Sequence, residues 1–220
     1  MSKERPILFS APMVRALLDG SKTQTRRVVK PAKCKAMGVP LACCEIAGEI
    51  NQGDYTNSQY GQPGDRLWVR ETYYAWGRWE TRFSAKKGRD EWHFVDLTME
   101  ARKSYLYAAN GQQPQPMGGK RHKGGITPTW WKRPAIFIPH AASRITLEVT
   151  GVRVERLQDI SEADALAEGV NVHPDHHSKP RTSIYSPVQA YRDLWESIND
   201  TESWEANPWV WVVEFKVVKP

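Results

Sequence analysis

Cysteine is scarce, with Cys34, Cys43 and Cys44 the only three in 220 residues. Odd in number and closely grouped, they do not read as the disulfide framework of a small secreted domain. Their C-x8-C-C spacing also lacks the paired C-x-x-C of a strong zinc signature. His173, His176 and His177 invite a metal reading, yet no neighbouring carboxylate or cysteine pattern completes it, so neither a metal nor a cofactor is expected. Long apolar runs are missing too. No stretch approaches the length of a membrane span, and MSKERPILFS holds only a three-residue apolar run where a signal peptide needs an h-region. A cytoplasmic protein with no membrane contact is expected. Nor do strands and helices alternate long enough for a doubly wound sheet.

What is present is enough for a single core, with 40% hydrophobic residues. Lys plus Arg number 31 against 25 Asp plus Glu, an excess of +6 that suits phosphate-bearing partners without requiring them. Ten tryptophans are many for this length; packing is the better account of most, and base stacking the alternative.

The segment Ile7 to Arg27 runs from strand to helix to a tight basic turn. Ser10 can cap a helix with Pro12 near its start, Val14, Leu17 and Leu18 form its apolar stripe, and Gly20 stops it. Lys22, Thr23, Gln24, Thr25, Arg26 and Arg27 follow, cations placed just after a helix C-terminus. Residues 32–62 lack sustained periodicity and read as an excursion. Pro63-Gly64-Asp65 is a turn, and Arg66 to Thr72 a strand with Leu67 and Val69 on one face and Trp68 and Arg70 on the other. Residues 73–134 read as an irregular insertion, with a short strand over Ser104–Ala108 and a Gly- and Pro-rich loop tipped by Lys120-Arg121-His122-Lys123.

Alternation resumes at Ser143, with Ile145, Leu147 and Val149 on one face and a phase change at Thr150-Gly151 that predicts a bulge, as in a small closed barrel. Ser161 to Asp164 resembles a capping box, opening a helix with Ala163, Leu166 and Ala167 inward and Gly169 as its stop. Ser186-Pro187 opens an amphipathic helix whose stripe is Tyr191, Leu194, Trp195 and Ile198. Trp209 to Val217 is a strand apolar on both faces and therefore interior. About six strands and three short helices make an α+β fold, a compact barrel fitting best.

Three separated pieces resemble a known family. Gly20-Ser21-Lys22-Thr23-Gln24-Thr25-Arg26-Arg27 is similar to the G-x-K-x-x-x-x-R signature of ASCH domains, relatives of the PUA RNA-binding fold, with Gly20, Lys22 and Arg27 in the signature positions. Gly64-Asp65-Arg66-Leu67-Trp68-Val69 looks like the family's G-D-x-L-x-V strand, and the stretch from Leu157 through the closing WVVEFKV resembles its C-terminal half. The whole pattern looks most like the longer ASCH-like proteins of phages and prophages. The resemblance implies a PUA-like small β-barrel with flanking short helices, one domain over 1–220, with 32–62 and 73–134 as insertions.

For function, the resemblance implies a modified nucleoside or single-stranded RNA as ligand. One branch of the family removes the acetyl group of N(4)-acetylcytidine with a Lys, a Thr and a Glu. Lys22 and Thr25 match, Glu168 is the best match for the acid and Glu162 the fallback. Arg26, Arg27, Trp68, Arg70 and Glu71 are the expected contacts to substrate or nucleic acid. The residue types suit the chemistry: a lysine with a pKa depressed by burial or neighbouring cations can deprotonate a threonine hydroxyl, and a carboxylate can hold the lysine or shuttle protons. In an extended strand, however, residues three apart point to opposite faces, so Lys22 and Thr25 cooperate only if the chain turns between them. The alternatives are an RNA-binding module, in which Lys22, Arg26, Arg27 and the 120–123 tip hold phosphates while aromatic rings stack bases, and a ribonuclease using the same basic cleft.

Overall fold

A computed structural model describes residues 3–111, 113–114, 124–170 and 186–219. In chain order their elements are β1 (Glu4–Leu8), α1 (Ala11–Leu18), β2 (Gln24–Val28), β3 (Ala32–Lys33), β4 (Pro40–Leu41), α2 (Cys43–Asn51), β5 (Arg66–Arg70), β6 (Tyr73–Ser84), β7 (Arg89–Asp96), β8 (Leu106–Tyr107), β9 (Thr129–Arg133), β10 (Thr146–Arg156), α3 (Glu162–Ala167), α4 (Pro187–Asn199) and β11 (Trp209–Lys219), joined in places by single 3-10 turns. The fold is mixed α+β with several sheets. No described helix is long and apolar enough to cross a membrane. Two units are distinguishable: one takes in Met1–Pro6, Ala16–Trp68 and Arg144–Pro220, the other Ile7–Arg15 and Val69–Ser143.

The first unit is organised by a sheet of strand order β1-β5-β10-β11-β2. Strand β11 is apolar on both faces because it pairs antiparallel with β10 on one side and β2 on the other. Its Val210 and Val212 pack in a buried cluster with Leu157, Ile160, Ala165, Tyr191, Trp195 and Trp204, while Trp211, Val213 and Phe215 are buried on the opposite face. The phase change at Thr150-Gly151 is a slip in the β10–β11 register between Val149 and Gly151. Residues 32–62 hold more order than their pattern suggests: β3, β4 and helix α2, whose Ile46, Ala47 and Ile50 are buried.

Helix α3 differs from its sequence pattern in an instructive way. Ser161 caps it as expected, accepting from the Asp164 amide at 3.1 Å. The inward side chains, however, are Asp164, Ala165 and Glu168, while Ala163 and Leu166 are exposed. A six-residue helix buries too little apolar surface to set its own rotation. The cations that receive its carboxylates, Arg153, Arg26 and Lys22, set it instead. Helix α4 buries Tyr191 and Trp195 as its stripe predicts, with Ile198 exposed at the end.

In the second unit, residues 73–134 hold a sheet where an irregular stretch was expected. Strands β6 and β7 form an antiparallel ribbon over eight residue pairs, and β8 and β9 add to β6; β8 falls inside the strand expected at Ser104–Ala108. The sequence hid these strands because the face that holds Trp79, Phe83, Trp92 and Phe94 is interrupted by Gly77, Thr81 and Asp90, which blurs the apolar–polar alternation. The basic tip at 120–123 and His173, His176 and His177 lie outside the described residues.

The rotation of α3 is testable by equilibrium denaturation. Leu166→Ser is expected to change stability by less than about 0.5 kcal/mol. Ala165→Leu should cost about 1–3 kcal/mol, because no room exists at a side chain with no exposed surface.

Candidate active site

Within the first unit, two glycines let the Lys22 segment meet α3. Gly20, at φ +82°, ends α1 in the left-handed conformation open to glycine, and the chain turns back so that the Lys22 amide donates to the Ala16 carbonyl at 2.9 Å. Gly169, at φ +81°, ends α3 in the same way. A Cβ on Gly169 would stand 3.1 Å from the Cβ atoms of Ala16 and Lys22, so glycine permits the close approach. The Thr23 amide then donates to the Ala167 carbonyl at 2.9 Å, and Lys22 and Glu168 form an isolated antiparallel bridge.

This backbone stitching buries a lysine. Lys22 is 1% exposed, and its Nζ donates to Glu168 Oε2 at 2.7 Å and to the Glu168 carbonyl at 2.9 Å. Burial lowers the amine's pKa below its ordinary 10.5; Glu168 pulls it back up, and the Arg27 and Arg26 charges add to the lowering. The net direction is down, toward a free amine.

Arg26 lies beside this pair and is as deeply enclosed. One of its terminal nitrogens stands 2.6 Å from Glu155 and 3.3 Å from Asp164, and the other 3.5 Å from Glu168 Oε1. Gln24, two residues earlier on β2, faces the same way; with its amide turned to suit its neighbours it donates to Asp164 at 3.0 Å and accepts from Arg26. Arg153 closes the network, meeting Asp164 at 2.8 Å, Glu155 at 3.0 Å and Glu214. Four carboxylates thus surround Lys22, Arg26 and Arg153. Two buried polar atoms of this network have no hydrogen-bond partner among the described residues, Arg26 Nε and Glu168 Oε1.

Lys22, Arg26 and Glu168 are therefore brought together. Thr25 is buried too, but β2 pairs with β11 without a slip, from Val28 opposite Val210 to Gln24 opposite Glu214. Alternation along such a strand puts Thr25 and Arg27 on the face opposite Gln24 and Arg26. Thr25 sits opposite Val213, and Arg27 opposite Trp211. The fallback acid, Glu162, is exposed at the start of α3. Trp68 is half-buried on β5 opposite Thr146. Arg70 and Glu71 belong to the second unit, where Arg70 Nε donates to the Ala135 carbonyl at 3.3 Å and Glu71 is buried.

The members that sequence reasoning missed are Gln24, Arg153, Glu155, Asp164, Tyr191 and Glu214. Tyr191 lies on α4 with its ring 5.9 Å from the Arg26 guanidinium, and burial, with the Glu168 charge, raises its phenol well above 10.0. A readable signal was available for one of them: Asp164 and Glu168 are four apart on a helix and must share a face. A cleft of about 340 Å³ opens beside the segment, lined by Leu17, Gly20, Lys22, Thr23, Phe215 and Lys216 among others. Set beside known proteins, the chain matches no family model, no curated protein and no solved structure.

Removing Glu168 takes the counter-charge from the buried Lys22 amine, while Arg26 keeps Glu155 and Asp164, so Glu168→Ala should cost about 3–5 kcal/mol in denaturant titrations. Glu162→Ala, at an exposed first-turn position, should cost under about 1 kcal/mol.

Acid sensitivity follows from Asp164. Burial pushes its pKa up, but the Ser161 hydrogen bond and the Arg153 and Arg26 charges outweigh that and hold it at about 2, against an ordinary 3.8. A depressed carboxyl contributes stability that is complete above its unfolded value and is lost as pH falls through its folded value. The stability curve should therefore drop between about pH 4 and pH 2, and Asp164→Asn should flatten that limb relative to wild type when melting temperature is followed against pH.

Proposed function

We propose that the chain hydrolyses the amide of an N(4)-acylated cytidine or a related modified nucleoside, on a PUA-like barrel of the ASCH type. The observation that carries this reading is the buried Lys22 amine at 2.7 Å from the Glu168 carboxylate, since the two residues come from positions the family resemblance singles out independently. A lysine whose pKa is lowered by burial is unprotonated over a wider pH range than a surface lysine and so better able to act as a base.

In this scheme the Lys22 amine takes the proton of the attacking hydroxyl, and the new C–O bond forms as the acyl C–N bond breaks. The proton passes by way of Glu168 to the departing exocyclic nitrogen of cytidine. The products are the free nucleoside and a carboxylic acid. Thr25 supplies the hydroxyl in the family scheme, giving an acyl ester that water then cleaves. Because its strand face is opposite that of Arg26, attack by water on the same pair is the competing route.

The saturation of Arg26 weighs against the binding-module reading. A guanidinium within 3.5 Å of three carboxylates has no charge to offer a phosphate, and the surrounding acids would repel one. A small neutral nucleoside suits this electrostatic setting better than a polyanion.

The test is incubation with N(4)-acetylcytidine and chromatographic detection of cytidine. Wild type should release it, with kcat/KM climbing as pH rises through a pKa below 10.5, because the base works unprotonated. Lys22→Ala should lose at least about 100-fold. A similar loss in Thr25→Ala, partly restored in Thr25→Ser, assigns the hydroxyl as nucleophile; wild-type activity there assigns water. No cytidine from wild type, or an active Lys22→Ala, removes the hydrolase.

A further inference from the structure

One buried cation of the second unit has no part in the amide chemistry and no counter-charge. Arg133 ends β9 opposite Tyr73 of β6 and is 8% exposed. Three rings surround its guanidinium, with the centroid of Phe94 at 4.4 Å, Phe137 at 4.7 Å and Trp79 at 4.8 Å. Among the described residues it forms no ion pair with a carboxylate, and its buried Nε has no hydrogen-bond partner. Two acids share its sheet face in register, and neither pairs with it. Asp96, opposite Gly77, accepts from the Thr98 amide at 2.9 Å and the Tyr105 hydroxyl at 3.1 Å, while Asp90 stands opposite Phe83 toward the far end of the ribbon. Residues 112–123 of the same unit contain neither Asp nor Glu.

A buried charge is costly unless it is both paired and hydrogen-bonded. Ring faces return part of the lost hydration through their quadrupoles, but they carry no net charge. The Tyr73 phenol feels the Arg133 charge, and its hydroxyl donates its own proton to the Phe137 carbonyl at 2.9 Å. A guanidinium holds its N–H donors in a fixed planar fork, and the group that complements such a fork is an anion with two oxygens in one plane. Charge selects further. One cation among rings matches a monoanion, whereas a phosphate dianion would keep an uncancelled charge in apolar surroundings. The rim is apolar as well: on the turn Ala135–Phe137, Ile136 is 53% exposed and Phe137 54%, and the Phe137 ring reaches from that surface to the guanidinium.

We propose that Arg133 anchors a binding site for a small apolar monocarboxylate, whose carboxylate lies across the guanidinium fork and whose body packs against Phe137 and Ile136. The fork supplies orientation and the rings supply the apolar contact. Every residue of the site belongs to the second unit, and none belongs to the Lys22 cluster, so the site stands independently of the hydrolase reading.

The test titrates the full chain with benzoate by isothermal calorimetry, with acetate, inorganic phosphate and chloride compared at equal ionic strength. Benzoate is expected to bind with a Kd of about 1 mM or below, at least about tenfold tighter than acetate, which lacks the apolar body. Arg133→Met should weaken benzoate at least about tenfold, and Arg133→Lys, which keeps the charge and loses the fork, should fall between the two. Benzoate should also raise the melting temperature of wild type and leave that of Arg133→Met unchanged. If Arg133→Met does not fold, Phe137→Ala at its half-exposed turn position decides, and should weaken benzoate at least about threefold without changing acetate. The proposal is overturned if wild type gives no saturable benzoate binding, or if phosphate or chloride displaces benzoate at equal concentration. It is equally overturned if Arg133→Met, or Phe137→Ala where that variant decides, binds benzoate as wild type does, which would make the binding that of an adventitious additive only. Acetylcytidine hydrolysis by Phe137→Ala should stay at the wild-type rate, so loss of one reading leaves the other standing.

Discussion

An amine with 1% of its surface exposed constrains everything packed against it. Burying the charged form costs several kcal/mol unless a counter-charge and full hydrogen bonding are provided in the same place. Lys22 receives both from one residue, since the Glu168 carboxylate and the Glu168 carbonyl each accept from it. For one residue to give both, the end of α3 must lie directly against the chain leaving α1. That need accounts for the two left-handed glycines, one at each helix end, and for the backbone bridge between residues 22 and 168.

The same demand explains why a six-residue helix holds its place. Helix α3 is too short to be stable alone, and its apolar residues do not decide which side faces in. Its orientation is fixed by charge: Asp164 meets Arg153 and Arg26, and Glu168 meets Lys22 and Arg26. The two acids are four residues apart, so turning the helix to bury Leu166 would pull both away from their cations. The trade is between one leucine and two buried ion pairs, and losing one partner of a buried pair costs more than exposing a leucine.

The parts of the fold that the sequence made legible are those where apolar period alone decides the structure. The interior strand β11, the bulge at Gly151, the stripe of α4 and the glycine stop after α1 all belong to that class. What stayed hidden is where polar residues do the packing. The ribbon β6–β7 has its rings on one face, but Gly77, Thr81 and Asp90 interrupt the row, and α2 hides behind cysteines and glutamates with a stripe only Ile46, Ala47 and Ile50 long. At the site the division is the same. Lys22 and Glu168 were reachable through the family resemblance, whereas Glu155 and Arg153 occupy strand positions that read as ordinary surface charges until their partners across the sheet are known.

Alternation also decides how far the Lys22 cluster can be read as chemistry. Gln24 and Arg26 look toward α3, so the strand delivers to the cluster a cation and an amide that are both already engaged. Thr25 and Arg27 look the other way, toward the face lined by Val213 and Trp211. Burial lowers the pKa of the Lys22 amine, which donates to the Glu168 carboxylate, and raises that of the Tyr191 phenol, so the amine gives up its proton more easily than an exposed lysine and the phenol holds its own more tightly than an exposed tyrosine. The cluster's electrostatics oppose a phosphate and tolerate a neutral amide, and this difference follows from the three carboxylates around Arg26 whatever the identity of the nucleophile.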